Sequence, residues 1–198
     1  GLQVNTIATL KLLEALRQQD RGATVVFPST IAVFGPPYPA VVDDDTWPVP
    51  ALSYGAEKLA CEVLLADYTR RGILEGVGIR LPSIVVRPGK PNAAASGFFS
   101  GIIREPLAGH EAILPVKDTI MHTHASPRSA VGFLIHAAGL DRVKLGPRIN
   151  LNMPGVTCTV AEQIESLKRI AGEKVAARIR RLVLVLDGRR GGRAGYSG

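Results

Sequence analysis

Two short runs of nearly continuous apolar, β-branched residues constrain this chain more than any other feature: "GATVVFPST" at 22–30 and "GVGIRLPSIVVRPG" at 76–89. Neither alternates polar with apolar residues, so each reads as a strand buried on both faces, and prolines stop the second. A helix is predicted over 4–19, where Val4, Ile7, Leu10, Leu12, Leu13 and Leu16 recur close to a helical period. A second helix is predicted over 54–70, with Ser53 as its cap. The proline-rich "FGPPYPAVVDDDTWPVPALS" between strand and helix reads as a loop, its acids Asp43–Asp45 solvated. Helix, strand, loop, helix, strand is the order of an α/β fold with a parallel sheet.

After Gly89 the character changes. "KPNAAASGFFSGIIREPLAGHEAILP" is rich in small residues and proline, with a short helix expected near 97–105. There follow a strand "TIMHTHA", a helix "SPRSAVGFLIHAAGL" capped by Ser126 with Pro127 at its first position, a strand "RINLNM" and a helix "TVAEQIESLKRIAG". These elements are expected to form a smaller mixed lobe over 90–175, leaving 176–198 as an irregular basic tail.

Composition narrows the functional classes. Apolar residues make up 46% and charged residues 21%, which excludes disorder over the whole length. The formal charge is +7, but Lys174, Arg178, Arg180, Arg181, Arg189, Arg190 and Arg193, set against Asp187, carry +6 of it in a glycine-rich terminal stretch. A nucleic-acid groove would spread cations over the folded surface among aromatics, so no nucleic-acid partner is expected. Cys61 and Cys158 have neither CxxC nor Cys/His spacing and read as buried reduced thiols, with no disulfide and no zinc. His110, His122, His124 and His136 lack metal-ligand spacing, so no metal is expected. His122 and His124 alternate on a strand and are candidates to face a substrate. No apolar run approaches membrane-spanning length and no signal pattern opens the chain, which points to the cytoplasm.

The chemistry-bearing residues are Asn5 on the first helix, Thr30 at the end of the first strand, and Tyr54 with Lys58 on the second helix. A tyrosine hydroxyl is a poor base at neutral pH. A lysine four residues on lies on the same helix face and stabilises the phenolate. A hydroxyl at the carboxyl end of a parallel strand lies where such sheets bind ligands, and can orient the oxygen that loses the proton. An asparagine nearby can hold a water that relays that proton. Any one of these residues alone is ordinary: a surface pair, a helix start, a strand-end hydroxyl.

"PSTIAVFG" followed by "YGAEK", 24 residues from Thr30 to Tyr54, with "VNTIATLKLLEAL" upstream, resembles the extended short-chain dehydrogenase/reductases over roughly residues 3–173. The resemblance implies an incomplete Rossmann-like, doubly wound parallel sheet over 1–89 plus the smaller substrate lobe. It implies NAD as cofactor, with NADP less favoured, Tyr54 as acid/base, Lys58 as its activator and ribose ligand, Thr30 as the substrate-positioning residue and Asn5 in the relay. Leu81, Pro82, Ser83 and Ile84 would line the nicotinamide, Ser83 also lying near the substrate. Pro28 departs from the serine or threonine common at its place. The resemblance further implies a homodimer through helices 4–19 and 54–70.

"RLPSIVVRPGKPNAAASGFFSGIIREPLAG" and "HASPRSAVGFLIHAAGL" resemble those members that oxidise the 2-hydroxyl of a four-carbon sugar acid, D-erythronate. An acid substrate needs a cation or amide for its carboxylate, for which Arg128, Lys90 and Asn92 are candidates. A nucleotide sugar would want an aromatic slot, which Phe98 and Phe99 could supply, plus cations for a diphosphate. Two other outcomes stay open: an epimerase or reductase of nucleoside-diphosphate sugars, and a non-catalytic dimerising remnant. The glycine turn that cradles pyrophosphate in such folds is not found. The cluster "VLVLDGRRGGRAGYSG" at 183–198 has the wrong spacing. A truncated gene, a frameshift or a fragment would each give this pattern, and impaired activity is the expectation.

Overall fold

The computed structural model describes residues 1–19, 21–89 and 95–182. Its main sheet has the order β1 (Thr24–Thr30), β2 (Glu75–Leu81), β6 (Asn150–Asn152), all parallel. Thr24 lies opposite Glu75 and Thr30 opposite Leu81, so β1 and β2 end level at their carboxyl edge. Helices cover both faces. On one side α1 (Ala8–Gln19), entered through a π-helical turn at Gln3–Ile7, and α2 (Ser53–Arg70) pack Leu13, Cys61, Leu65 and Tyr68 against Phe27 of β1. On the other side α4 (Pro127–Ala138) packs Ala130 and Ala137 against Val77 and Ile79 of β2. Side chains alternate across a strand, so burial on both faces explains the unbroken apolar runs.

The smaller elements form two further sheets. β3 (Ser83–Ile84) runs parallel to β5 (Met121–Ala125), which is antiparallel to β7 (Val156–Thr159). β4 (Ala112–Leu114) runs parallel to β8 (Ile179–Arg181) beside α3 (Phe98–Leu107) and α6 (Val160–Ala171), around Phe99, Ile102, Leu114 and Val160. Two one-turn helices, α5 (Arg142–Leu145) and α7 (Glu173–Ala176), fill connections.

Several expectations are corrected. The predicted 76–89 strand divides at Pro82, which lacks the N–H a ladder needs: β2 ends at Leu81, and β3 joins a different sheet. Ser53 is not the cap of α2. Leu52 holds that position with no side-chain cap, and its carbonyl accepts from the Ala56 N–H at 3.0 Å. Ser126 does cap α4, accepting from the Ser129 N–H at 3.0 Å, with Pro127 following. α4 and β6, read from the sequence as part of the smaller lobe, pack on the main sheet instead.

The acidic loop is tied down. Asp44 Oδ1 accepts from the Asn152 N–H at 2.7 Å, and Asp45 pairs with Arg148 beside β6. Cys61 is fully buried, whereas Cys158 is only half-buried. The stretch expected to be irregular from 176 onward contains β8, whose pairing continues through the Leu182 N–H to the Leu114 carbonyl at 3.0 Å. The glycine cluster at 183–198 lies outside the described residues. Among the described residues no helix is long and apolar enough to cross a membrane.

A buried ionic contact crosses the layer between α2 and the sheet. Glu62 accepts from Arg80 through Nη2 at 2.8 Å and Nε at 3.1 and 3.2 Å, and from the Ser29 hydroxyl at 2.5 Å. Ser29 and Arg80 face each other across β1 and β2, and the three residues are 2%, 1% and 6% exposed (Ser29, Glu62, Arg80). Removing one member of a buried pair strands the other charge without water, at a cost of about 3–5 kcal/mol. Glu62→Ala is therefore expected to lower the urea midpoint of unfolding sharply, whereas Asp67→Ala, which breaks only exposed pairs at 2.6 and 3.5 Å, leaves it nearly unchanged.

Candidate active site

The carboxyl edge of β1 and the first two turns of α2 are pressed together by a missing side chain. A Cβ on Gly55 would lie 2.0 Å from the Ala32 carbonyl oxygen, so only glycine lets α2 start against the 3-10 turn Ile31–Val33 that follows Thr30. Thr30 caps this turn, its Oγ1 accepting from the Ala32 N–H at 3.2 Å. Tyr54, next to Gly55, is 46% exposed, so its phenol is open to a ligand.

Lys58 lies one turn further along α2. Its Nζ sits 4.3 Å from the centroid of the Phe27 ring, a cation–π contact that draws the half-buried ammonium toward β1. Burial pushes its pKa below the ordinary lysine value, opposed by Cys61 and the Glu62 carboxylate. Asn5, in the π-helical turn, donates from Nδ2 to Glu57 Oε2 at 2.6 Å, while its carbonyl accepts from Cys61 Sγ at 3.3 Å. Asn5 is thus fastened to α2 on both sides of Lys58. Among the described residues no hydrogen bond joins any two of Asn5, Thr30, Tyr54 and Lys58 directly. The links among them are indirect, running from Asn5 to Glu57, from Lys58 to Phe27 and from Gly55, next to Tyr54, to the turn after Thr30. None of Glu57, Phe27 and Gly55 is among the residues the sequence singles out.

Beyond that edge lies a second cluster. Ser83 Oγ is 2.7 Å from His122 Nε2. The His122 ring stacks on Phe99 with centroids 4.6 Å apart and planes 5° apart, and His124 meets Phe99 edge-on at 4.8 Å. Burial pushes both imidazoles toward the neutral form, His124 to about 4, helped there by His122. Leu81 and Ile84 are half-buried against the α4 face of the sheet, and Pro82 is buried. Arg128 is exposed in the first turn of α4 and makes no ion pair among the described residues. Lys90 and Asn92 lie outside the described residues. Among the described residues no group of three metal-ligating side chains gathers.

Phe99 is spent on the core, and Phe98 lines an open cleft of about 400 Å³ with Arg87, Arg104, Glu105 and Glu111. Arg104 is bound there to Glu105 at 2.7 Å and to the Arg87 carbonyl at 2.7 Å.

Residues 2–123 match the NAD dependent epimerase/dehydratase family. The chain belongs to that family. Among curated relatives it is similar to D-erythronate dehydrogenase of Cupriavidus necator, 48% identical over 90% of this chain and 55% of the relative. It is also similar to D-erythronate dehydrogenase of Haemophilus influenzae, 38% identical over 91% of this chain and 57% of the relative. The chain thus spans about half the length of the curated relatives it matches. Among solved structures, a nucleoside-diphosphate-sugar epimerase from Agrobacterium tumefaciens superposes with a TM-score of 0.87 at 56% identity, over 92% of this chain and 54% of that one. L-threonine 3-dehydrogenase from Trypanosoma brucei superposes with a TM-score of 0.81 at 22% identity, over 91% of this chain and 55% of that one, a likeness of fold. Membership of the family implies a nicotinamide cofactor.

The electrostatics of the histidine pair give a pH prediction. His124 is neutral when folded, whereas an imidazole in the unfolded chain charges below about 6.5. Its contribution to stability is full above pH 6.5 and is lost as the pH falls toward about 4. NMR titration of the ring C–H signals is expected to place the His124 midpoint near 4.

Proposed function

We propose that this chain carries the proton-transfer and substrate-side part of an NAD-dependent oxidoreductase that oxidises the 2-hydroxyl of D-erythronate or a closely similar sugar acid. The observation that carries the reading is the 48% identity to a D-erythronate dehydrogenase, combined with Tyr54 and Lys58 set on α2 against the carboxyl edge of β1. Thr30 orients the substrate hydroxyl, Tyr54 takes its proton as the carbonyl forms, and Lys58 holds the phenolate charge. Asn5 returns the proton toward solvent through water. Tyr54, Lys58, Leu81, Pro82 and Ile84 would hold the nicotinamide end of NAD. The exposed phenol and the half-buried ammonium beside an open strand edge fit such a ligand. When bound, the nicotinamide supplies the hydride acceptor. Arg128, exposed and without an ion-pair partner among the described residues, would meet the substrate carboxylate.

The nucleotide-sugar alternative draws on the cleft at Phe98. Two acids offset its two arginines, and Arg104 is already committed to Glu105 and a carbonyl. A diphosphate would meet little net positive charge there, which favours the small acid. A homodimer through α1 and α2 is the proposed assembly. Val4, Leu12 and Val63 on those helices and the turn before them are 74%, 54% and 63% exposed, apolar surface suited to a second copy.

In a preparation that oxidises D-erythronate, Tyr54→Phe is expected to lower kcat by about 100-fold or more with NAD affinity little changed. Lys58→Ala should damage both. Substantial turnover by Tyr54→Phe would remove Tyr54 from the acid/base role. The 198-residue polypeptide by itself is expected to show no measurable NAD-dependent oxidation, because no glycine turn for pyrophosphate is found in its sequence. Robust turnover by the pure chain would contradict this.

A further inference from the structure

The His122 ring is oriented from two directions and is still half-open to solvent. Phe99 fixes its plane by the 5° stack, and Ser83 fixes its edge through the 2.7 Å contact to Nε2. Phe99 is itself 4% exposed, so the floor of this arrangement cannot easily move. Its place along the chain matters as much. Ser83 follows Leu81 by two residues, and Leu81 pairs with Thr30 at the carboxyl edge of the sheet. Two residues of chain plus one strand spacing keep the Ser83 backbone within about 12 Å of that of Thr30. That span is short enough for a small acid whose hydroxyl lies at Thr30 and Tyr54 to extend a further oxygen toward Ser83.

We propose that His122 is a positioning residue for the substrate: its Nε2–H donates to Ser83 Oγ, which turns the Ser83 hydroxyl proton outward to donate to a carboxylate or hydroxyl oxygen of the sugar acid. The inference rests on the substrate reading above and goes beyond it in giving His122 a role. A serine hydroxyl left to itself rotates among several partners and offers a ligand no fixed proton. A neutral imidazole donating to its oxygen removes that freedom, and a well-placed donor costs the ligand less ordering on binding. Neutrality is supplied by burial, which lowers the His122 pKa. The polar contact His122 makes among the described residues is with Ser83, so its role is exercised through that serine and it is not itself catalytic.

The test is a binding cycle on the 198-residue chain with D-erythronate as probe, read by NMR of the histidine ring signals. Nitrogen-15 shifts are expected to give His122 as the Nε2–H tautomer, and addition of D-erythronate to shift its signals. His122→Phe is expected to raise Kd about tenfold, the loss of one placed hydrogen bond. His122→Gln, which keeps a donor of similar reach, is expected to recover most of that. Ser83→Ala is expected to match His122→Phe, and the double variant to be no weaker than either, as residues acting through one contact are not additive. A structural role would not give this non-additivity together with rescue by glutamine. An Nδ1–H tautomer, a wild-type Kd in His122→Phe, or additive losses would overturn the proposal while leaving the substrate reading intact. No shift on adding D-erythronate to the wild-type chain would overturn the substrate reading and this inference with it.

Discussion

The bidentate contact of Arg80 with Glu62, closed by the Ser29 hydroxyl, is the constraint on which the site depends. Two charges buried this deeply contribute little net stability, because desolvation cancels most of their attraction. What they supply is specificity of position. Apolar packing of Cys61, Leu65 and Tyr68 on the sheet would tolerate a small slide or rotation of α2. A carboxylate that must meet a guanidinium at 2.8 Å and a hydroxyl at 2.5 Å does not. Tyr54, Lys58 and Glu62 succeed one another at four-residue spacing and share one face of α2, so fixing Glu62 fixes the phase of the other two. The Gly55 approach to Ala32 then sets the height of the helix against Thr30. Two contacts of opposite kind, one a buried ion pair and one an absent methyl group, thus define where a phenol stands relative to a strand end.

How much of this was legible in the sequence follows from how local each interaction is. β1 and β2 were visible because burial on both faces removes polar residues from a run, and α4 because its cap and its Pro127 are adjacent in sequence. β4 and β8 are three residues each, too short to carry a period, and they pair across 67 positions. β6 is legible as the strand "RINLNM", but its pairing with the distant β2 is not. The placement of β6 next to β2 follows from Gly78, whose missing side chain leaves room for Asn150 where a Cβ would lie 2.1 Å from its Oδ1. The Leu52 cap defied expectation since α2 is started by tertiary packing rather than by a side chain.

The site divides the same way. Family likeness singles out Asn5, Thr30, Tyr54 and Lys58 as candidates, but what holds them is not legible in the sequence. Glu57 reaches Asn5 across 52 positions, and Arg80 reaches Glu62 across 18. Glu62 did leave a signal: a carboxylate in an apolar stripe, between Cys61 and Leu65, one turn beyond Lys58. A charged residue at a core position calls for a partner, and an arginine on a strand otherwise buried is the matching anomaly. Neither anomaly names the other, since pairing them requires the parallel register that sets Ser29 opposite Arg80.

The carboxyl edge of the sheet and the smaller lobe differ in how they handle charge. On the α2 side a lysine is held over Phe27, with a buried carboxylate one turn behind it, and on the proposed reading that lysine would stabilise a transient phenolate. On the β3 and β5 side the polar groups are a serine and two imidazoles kept neutral by burial, with Phe99 beneath them. Neutral donors bind an anion more weakly than cations do, but they leave its charge unquenched and discriminate by the position of each oxygen. Were Arg128 at the start of α4 to meet a substrate carboxylate, as proposed above, charge recognition and oxygen-by-oxygen recognition would fall to different elements. A substrate that is both small and oxygen-rich makes use of both, whereas a diphosphate calls mainly for the first.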